Sequence, residues 1–299
     1  MNSLEKPLVS VVIPCYNHEN FVQGCIQSVI DQTYQNIELI IIDDGSKDNS
    51  VLKIKEMREQ CVKRFSRFEF RQRENKGLSV TLNESLEWCK GTFYSAIASD
   101  DMMLKDKIKI QVNYLMEDNT KDIVGVFGGY NLIDNNNLIL KTCVKKAKIY
   151  CFNDIFFHNF DLPAPSALLL LDAVKKVGGY AESLKIEDWY MWLKLTESGN
   201  KLIYLNNVLV NYRSHEKNTS KNFIVRNEER IKVINHFFHK QNYESAHLKV
   251  QWLKATDYLY VNKFSAFKQF FNIIQNNTEQ LISLNIVRFF YHMLKSYIK

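Results

Sequence analysis

The chain contains little glycine, proline or paired cysteine for its 299 residues. It has ten glycines and four prolines, too few for a disordered or low-complexity protein. Its six cysteines show no C-x-x-C spacing, so we expect neither a disulfide framework nor a zinc site. No apolar run approaches the roughly 18 residues that span a bilayer. Residues 1–7 lack the apolar core of a signal peptide. These absences predict a globular protein of the cytoplasm.

Two glycine-rich nucleotide-binding motifs are also missing. The first predicted strand runs into Pro14-Cys15-Tyr16-Asn17 without G-x-G-x-x-G, which disfavours a dinucleotide-binding Rossmann site. The absence of G-x-x-x-x-G-K-[ST] excludes a P-loop NTPase. The net charge of +6 is modest and no dense Lys/Arg patch is interleaved with aromatics, so no nucleic-acid partner is expected.

Apolar, β-rich runs alternate with amphipathic stretches through the first two thirds of the chain. This alternation predicts βαβ units and a mainly parallel sheet. Strands are expected at 8–13, 37–42, 67–71, 92–98, 123–131, 138–144, 167–171 and 201–212, the last with a break at Asn206-Asn207. Helices are expected at 20–32, 46–62, 78–89, 105–116 and 186–198, with a short one ending at Gly178-Gly179. The Asp134 to Asn137 cluster predicts a turn, so 123–131 and 138–144 are expected to pair as a hairpin.

Beyond about residue 222 the sequence changes character. It contains no glycine or proline from there to the end, and apolar residues recur at helical spacing. We expect about four helices that form an appended, all-helical subdomain.

Acidic pairs stand at the ends of three apolar runs. Asp43-Asp44 follows 37–42, and Asp100-Asp101 follows 93–98. The third pair, Glu187-Asp188, comes at the start of an apolar helical pattern. Charges at such positions are costly to desolvate, so they usually serve a ligand or a metal. Ligands of open α/β sheets bind at the carboxyl edge of the strands. The pattern predicts a site with a cation and a base beside a polar, phosphorylated ligand.

Six segments, in order over about residues 7–220, resemble the motifs of family 2 inverting glycosyltransferases of the GT-A fold. They are Val9-Ser10-Val11-Val12-Ile13-Pro14-Cys15-Tyr16-Asn17; Asp43-Asp44-Gly45-Ser46; Glu74-Asn75-Lys76-Gly77-Leu78-Ser79 with Asn83; Ser99-Asp100-Asp101; Gly178-Gly179-Tyr180 with Glu187-Asp188-Trp189; and Tyr212-Arg213-Ser214-His215 with Asn218-Thr219-Ser220. One departure is Ala98, which stands where the family carries the first aspartate of its D-x-D metal motif.

The resemblance implies a GT-A fold, with a mainly parallel sheet and flanking helices. The catalytic domain would span 1–221, with a nucleotide-binding half at about 7–101 and an acceptor half at about 102–221, followed by the helical subdomain at 222–299. It further implies sugar transfer from a UDP-sugar to a glycan or an undecaprenyl-diphosphate-linked acceptor, as in bacterial O-antigen or capsule synthesis. Mn²⁺ or Mg²⁺ would be the cofactor.

The same resemblance implies roles for individual residues. Asp188 would be the catalytic base, Asp100 and His215 would hold the metal, and Glu187 and Trp189 would lie on the acceptor side. The donor would contact Pro14, Tyr16, Asn17, Asp43, Asp44, Arg71, Arg73, Asn75, Gly77, Ser99 and Asp100.

Each role has a structural alternative. One carboxylate of the Asp43-Asp44 pair would cap the following turn, with base recognition favoured for Asp44. Glu187 would serve as a helix-start charge. Trp189 would pack in the core. His215 would be an ordinary packed or surface histidine. One of Arg71 and Arg73 would contact the donor, and the other would be a solvated charge.

The last segment, residues 282–299, is basic, aromatic and amphipathic. Such a helix would lie on an anionic membrane surface, at the inner face, or would pack on the rest of the chain or on another subunit of a homo-oligomer. Two other functions stay open at this point. One is a nucleotidyltransferase of similar fold, and the other is a non-catalytic partner that binds a nucleotide sugar or a membrane.

Overall fold

The computed structural model describes residues 6–117, 122–215 and 222–297. Contacts divide the chain into a larger unit, residues 1–155 and 160–216, and a smaller unit, residues 156–159 and 217–299. The boundary expected after residue 221 falls outside the described ranges, so the domain limits stay a prediction.

The described part of the larger unit contains ten strands in one sheet. They are β1 (Val9–Cys15), β2 (Ile37–Asp43), β3 (Arg67–Gln72), β4 (Phe93–Ala96), β5 (Met102–Met103), β6 (Ile123–Ile133), β7 (Ile139–Cys143), β8 (Lys148–Tyr150), β9 (Leu168–Leu170) and β10 (Lys201–Arg213). The helices are α1 (Val22–Ile30), α2 (Ser50–Glu56), α3 (Arg58–Arg64), α4 (Leu78–Trp88), α5 (Lys107–Glu117), α6 (Phe152–Phe156), α7 (Leu171–Lys176) and α8 (Glu187–Thr196).

The strand order is β3-β2-β1-β4-β9-β6-β10-β5, with β7 beside β6 and β8 beside β10. The first four strands in this order are parallel, as are β6 and β10. β9 runs antiparallel between β4 and β6. The α/β architecture expected from the sequence is therefore confirmed, with one antiparallel strand between its two parallel parts.

Continuous apolar sequence forms the centre of this sheet. Every residue of β2 is buried, and β1 is buried except at Pro14. Strands covered on both faces read as unbroken apolar runs rather than as alternating ones. The parallel register brings Cys15 opposite Asp43, so the chain leaves β1 and β2 at the same edge.

Several expected elements differ in detail. The helix expected at 46–62 is two helices, α2 and α3, because Met57 donates its N–H to the Ile54 carbonyl in a tight turn between them. The elements β5, β8 and α6 were not expected, since each is too short for its periodicity to show. The β6–β7 hairpin is confirmed, and the β6–β10 register shifts between Tyr204 and Val208, around the expected break.

One glycine allows two loops at the carboxyl edge to meet. Gly45 has φ +75°, and a Cβ there would lie 2.6 Å from the Asn75 backbone nitrogen. A side chain is excluded because both the conformation and the space require glycine. The turn after β2 therefore rests directly against the loop before α4.

The described part of the smaller unit contains the four α-helices expected from the sequence. They are α9 (Phe223–Asn235), α10 (Tyr243–Tyr258), α11 (Lys263–Asn276) and α12 (Leu284–Lys295). The core of the last three is formed by Trp252, Ala255, Leu259, Ala266, Phe270, Ile273 and Phe289. Over the residues that the structure describes, no helix is both long and apolar enough to cross a membrane.

Candidate active site

The two carboxylates after β2 have different partners. Asp43 accepts hydrogen bonds from the Ser46 backbone N–H, at 2.9 Å, and from the Ser46 hydroxyl. Asp44 accepts from the backbone N–H groups of Lys76, at 2.8 Å, and Gly77, at 2.9 Å. Turn capping is thus visible for Asp43, whereas Asp44 holds the loop before α4.

The two candidate arginines also separate. Arg73 pairs with Asp44 and donates to Glu84 at 2.6 Å. The Arg71 guanidinium lies over the Trp88 ring, 4.1 Å from its centroid. Arg73 therefore belongs to the strand-end cluster with Asn75 and Gly77, and Arg71 stands apart from it.

The loop after β1 is bound to the loop after β2. Asn17, in the left-handed region at φ 54°, donates its N–H to the Ser46 hydroxyl at 2.9 Å and accepts from the Lys47 N–H at 2.7 Å. Tyr16 beside it is 46% exposed, so its ring is open to solvent. Pro14, near the end of β1, lines a cavity described below.

Two histidines and one aspartate converge at the end of β4. The Asp100 Oδ2 atom lies 2.8 Å from Nε2 of His215 and 3.9 Å from Nε2 of His18. One ligand atom from each of the three residues lies within 4.8 Å of the others. Two imidazole nitrogens and a carboxylate oxygen are a donor set that fits a divalent transition metal. The geometry brings together the two expected metal residues, Asp100 and His215, and adds His18.

Arg213 and Phe21 contact this cluster and help to hold it in place. Arg213 donates its Nε–H to the Asp100 carbonyl at 2.8 Å, and its backbone N–H to the Asp101 carboxylate at 2.8 Å. The Phe21 ring stacks on His215 at 5.7 Å and lies 4.7 Å from the Arg213 guanidinium. Asp101 is buried, and burial with the neighbouring Asp100 charge raises its pKa. These contacts hold the loop after β4 against the end of β10.

A cavity of about 150 Å³ lies beside this cluster. Its wall includes Glu187 and Asp188 at the start of α8, together with Pro14, Ala98 and Asp101.

The Glu187 and Asp188 carboxylates are partly buried, and burial raises the pKa of each. For Glu187, burial and the adjacent Asp188 charge raise the pKa to about 8. The Trp189 backbone N–H, 2.7 Å from Asp188, partly offsets the rise at Asp188. Burial and mutual repulsion therefore disfavour two negative charges on this pair at the same time.

Trp189 itself does not face the cavity. Its side chain is 2% exposed, and its indole N–H donates to the Ile155 carbonyl at 3.1 Å. The neighbouring Trp192 lines the cavity instead. The geometry at Trp189 favours the core-packing alternative.

Asn83 joins two of the motif segments. Its amide oxygen accepts the Tyr180 N–H at 2.8 Å, and its amide nitrogen donates to the Tyr180 carbonyl at 2.9 Å. Gly179 has φ +73°, and a Cβ there would lie 2.6 Å from the Asn83 oxygen. This pairing fixes the start of the loop that leads into α8. The motif residues Asn218, Thr219 and Ser220 lie outside the described residues.

Sequence reasoning missed His18, Phe21 and Arg213 as parts of the site. His18 lies in the loop after the expected first strand, so its place near the carboxyl edge was a usable signal. Ser99 was expected to contact the donor, and its hydroxyl lies 2.7 Å from His18 Nδ1. Nothing in the local sequence indicates that Phe21, on the approach to α1, lies beneath His215.

The glycosyl transferase family 2 model matches residues 10–178. The chain belongs to glycosyl transferase family 2. This match favours sugar transfer over the nucleotidyltransferase alternative.

Curated relatives agree with this membership. The chain is 31% identical over 238 residues to an uncharacterized glycosyltransferase of Rickettsia prowazekii, covering 76% of this chain and 70% of that protein. It is 28% identical over 280 residues to one of Rickettsia felis, covering 91% of this chain but only 43% of that protein. It is 27% identical over 216 residues to the UDP-Glc:alpha-D-GlcNAc-diphosphoundecaprenol beta-1,3-glucosyltransferase WfgD of Escherichia coli, covering 72% and 80% of the two chains.

Solved structures confirm the GT-A fold. TarS 1–349 of S. aureus in complex with UDP-GlcNAc superposes with a TM-score of 0.64 at 14% identity, covering 97% of this chain and 89% of that one. The mannosyltransferase PcManGT of Pyrobaculum calidifontis, in complex with GDP-Man and Mn²⁺, gives 0.62 at 13% identity, covering 99% and 87%.

Proposed function

We propose that this chain transfers a sugar from a UDP-sugar to a hydroxyl of a glycan, with inversion at the anomeric carbon. The acceptor is an undecaprenyl-diphosphate-linked oligosaccharide of bacterial surface polysaccharide synthesis. Support comes from the name of the E. coli relative, which specifies UDP-Glc and a diphosphoundecaprenol acceptor. The UDP-GlcNAc bound to TarS supports a UDP-sugar donor on this fold.

The donor site lies at the carboxyl edge of β2, β1 and β4. In this proposal Asp44 and the 73–77 loop receive the uracil, and Tyr16 lies beside the nucleoside. Asp100 and His215 would hold a Mn²⁺ or Mg²⁺ ion, since a carboxylate is an ordinary ligand for both ions and an imidazole can complete the set for a transition metal. When bound, the ion neutralises charge that develops on the departing diphosphate.

Asp188 is the general base in this proposal. The acceptor oxygen forms a bond to the anomeric carbon while the bond from that carbon to the diphosphate oxygen breaks. The leaving UDP takes the bonding electron pair, and the acceptor proton passes to the Asp188 carboxylate. The raised pKa of Asp188 makes it a stronger base than an ordinary aspartate, and burial beside Glu187 contributes to that rise.

One observation carries this assignment. Asp188 lines the same cavity as Ala98 and Asp101, the residues that bracket the metal candidate Asp100 in the chain. An acceptor hydroxyl in this cavity would therefore meet a base on one side and the donor diphosphate on the other.

The smaller unit supports a membrane role in the same proposal. On α12, the solvent-facing residues Leu284, Val287, Tyr291 and Leu294 are 60–74% exposed, although the opposite face already packs on the core through Phe289. Residues 259–297 contain four Lys or Arg and one Glu. An exposed apolar face with flanking cations fits the surface of an anionic leaflet. We propose peripheral attachment at the cytoplasmic face of the membrane, where a lipid-linked acceptor is presented.

The base assignment is tested with Asp188→Asn. The donor is first identified with the wild-type protein, by measuring UDP release from a panel of UDP-sugars with acceptor present. With that donor, we expect the turnover of Asp188→Asn to fall by about 10²–10⁴-fold, the usual contribution of a general base. Calorimetric UDP binding should be unchanged. Asp172→Asn, at an exposed site on α7, is the control. Wild-type turnover in Asp188→Asn would reject the base, and UDP binding without any turnover by the wild type would favour the non-catalytic alternative.

A further inference from the structure

We infer that His18 is a third protein ligand of the donor-site metal, and that the resulting set of two imidazoles and one carboxylate selects Mn²⁺ over Mg²⁺. The inference rests on the donor site proposed above and adds to it a residue and a metal preference.

The distances fit a single ion. An octahedral ion with bonds of about 2.1 Å places adjacent ligand atoms about 3 Å apart and opposite ones about 4.2 Å apart. Asp100 Oδ2 lies 2.8 Å from His215 Nε2, slightly less than the spacing of adjacent ligands, and 3.9 Å from His18 Nε2, between the adjacent and opposite spacings. The three donors therefore need little rearrangement to share one ion.

His18 is held in the orientation that such a ligand requires. Its Nδ1 lies 2.7 Å from the Ser99 hydroxyl, so a proton on Nδ1 donates to Ser99 and leaves the Nε2 lone pair towards Asp100. Its backbone N–H donates to the Ser50 hydroxyl at 2.9 Å, and its ring meets the Phe21 ring edge-on at 6.0 Å. Metal-bound histidines typically have a partner of this kind on the second ring nitrogen.

The donor set determines which metal is preferred. Mg²⁺ is a hard cation that favours oxygen ligands, whereas imidazole suits transition metals. Position 98 is alanine, and Asp101 is buried and accepts the Arg213 N–H, so Asp100 is the carboxylate that the 98–101 segment offers to the cluster. Two nitrogens among three protein donors shift the preference towards Mn²⁺.

The test is pulsed EPR of the full-length protein with Mn²⁺, both alone and with UDP. Nitrogen directly bound to Mn²⁺ modulates the echo, and two bound imidazoles give combination lines that one does not. We expect these lines in the wild type, single-imidazole spectra in His18→Gln and in His215→Gln, and no nitrogen modulation in the double variant. His239→Gln, at an exposed histidine of the smaller unit, is the control and should match the wild type.

A competition titration measures the preference. Mg²⁺ is added until Mn²⁺ is released, and the Mn²⁺/Mg²⁺ affinity ratio should fall in His18→Gln. The Mn²⁺ affinity itself should fall by at least about 10-fold, the smaller cost of losing an outer-shell partner. Circular dichroism and thermal unfolding establish that each variant is folded.

Three outcomes are distinguishable. A His18→Gln spectrum identical to the wild type, with modulation lost in His215→Gln, would overturn the inference while leaving the donor site intact. UDP binding by a wild type whose Mn²⁺ shows no nitrogen modulation would also overturn it. Failure to bind UDP would count against the proposed function, and the spectra with Mn²⁺ alone would still decide the role of His18.

Discussion

At the residue scale, carboxylates of the same type differ because their partners differ. Asp43 accepts a hydrogen bond from the Ser46 backbone N–H, and Asp101 accepts one from the Arg213 backbone N–H. Asp100 instead faces two imidazoles, and Asp188 faces a cavity. The partners of Asp43 and Asp101 hold loops in place, whereas a carboxylate directed at a cavity or at two imidazoles is a candidate for chemistry.

The Glu187 carboxyl predicts a specific pH dependence of stability. Its pKa is raised by burial from 4.5 to about 8, so between these values the folded state holds a proton that the unfolded state has released. Wild-type stability therefore falls as pH rises through this window, by up to about 1.4 kcal/mol per pH unit. Glu187→Gln removes this loss. We expect the free energy of unfolding of the variant, relative to wild type, to increase from pH 4.5 to 8.

Urea unfolding at several pH values measures this difference. Glu87→Gln, at an exposed site on α4, is the matched control. A difference between Glu187→Gln and wild type that stays constant across the window would show that Glu187 titrates normally in the folded protein.

At the scale of elements, loops placed far apart in the chain are held by a few side-chain contacts. The 73–77 loop is bound to Asp44, and the 178–180 turn is bound to Asn83 on α4. α4 therefore connects the loop proposed to bind the nucleotide with the segment that leads to Asp188. Both contacts pair a side chain with backbone groups, which sets the position of a loop without regular secondary structure.

Asn83→Ala should loosen that connection. Loss of two hydrogen bonds to Tyr180 is expected to lower the free energy of unfolding by about 1–3 kcal/mol. Because the loop 178–186 loses its anchor, its backbone amides should exchange faster with deuterium. Glu87→Ala, on the exposed side of the same helix, controls for helix propensity. Unchanged exchange in residues 178–186 of Asn83→Ala would contradict a positioning role for this asparagine.

At the scale of the molecule, the smaller unit exposes several large apolar side chains that do not pack in its own core. Phe264 and Phe271 on α11 are 81% and 62% exposed, and Ile282 before α12 is 94% exposed. The Lys263 ammonium contacts the Tyr297 ring, so a cation lies beside an exposed aromatic side chain of this unit. Exposed aromatic and aliphatic side chains of this size make the smaller unit a candidate for an interaction surface.

We expect the full-length protein to co-sediment with vesicles that contain phosphatidylglycerol, and less with phosphatidylcholine vesicles. Salt should weaken the binding because screening reduces the attraction of the cations. The double variant Val287→Gln/Leu294→Gln should lose binding. Leu138→Gln/Leu140→Gln, with comparable exposure in the larger unit, is the control. A dimer in gel filtration that disappears only in the α12 variant would instead identify this face as a subunit contact.

Local sequence determined the elements with long, regular patterns. The buried runs of β1 and β2, the helices α4 and α8, and the four C-terminal helices were predicted because each presents its periodicity within a short window. The ordered motifs also predicted the family and the GT-A fold, which the comparisons confirmed. The roles assigned to individual site residues stay predictions.

Tertiary structure decided how these elements meet. The sequence did not indicate that β9 would pair antiparallel with β4 and β6 or that His18 would meet a carboxylate 82 positions away, and it left open whether Trp189 would be buried. Such contacts depend on packing between distant segments, and no local periodicity or propensity records that. The sequence by itself thus determined which residues stand at the strand ends, and only the fold decided which of them face one another.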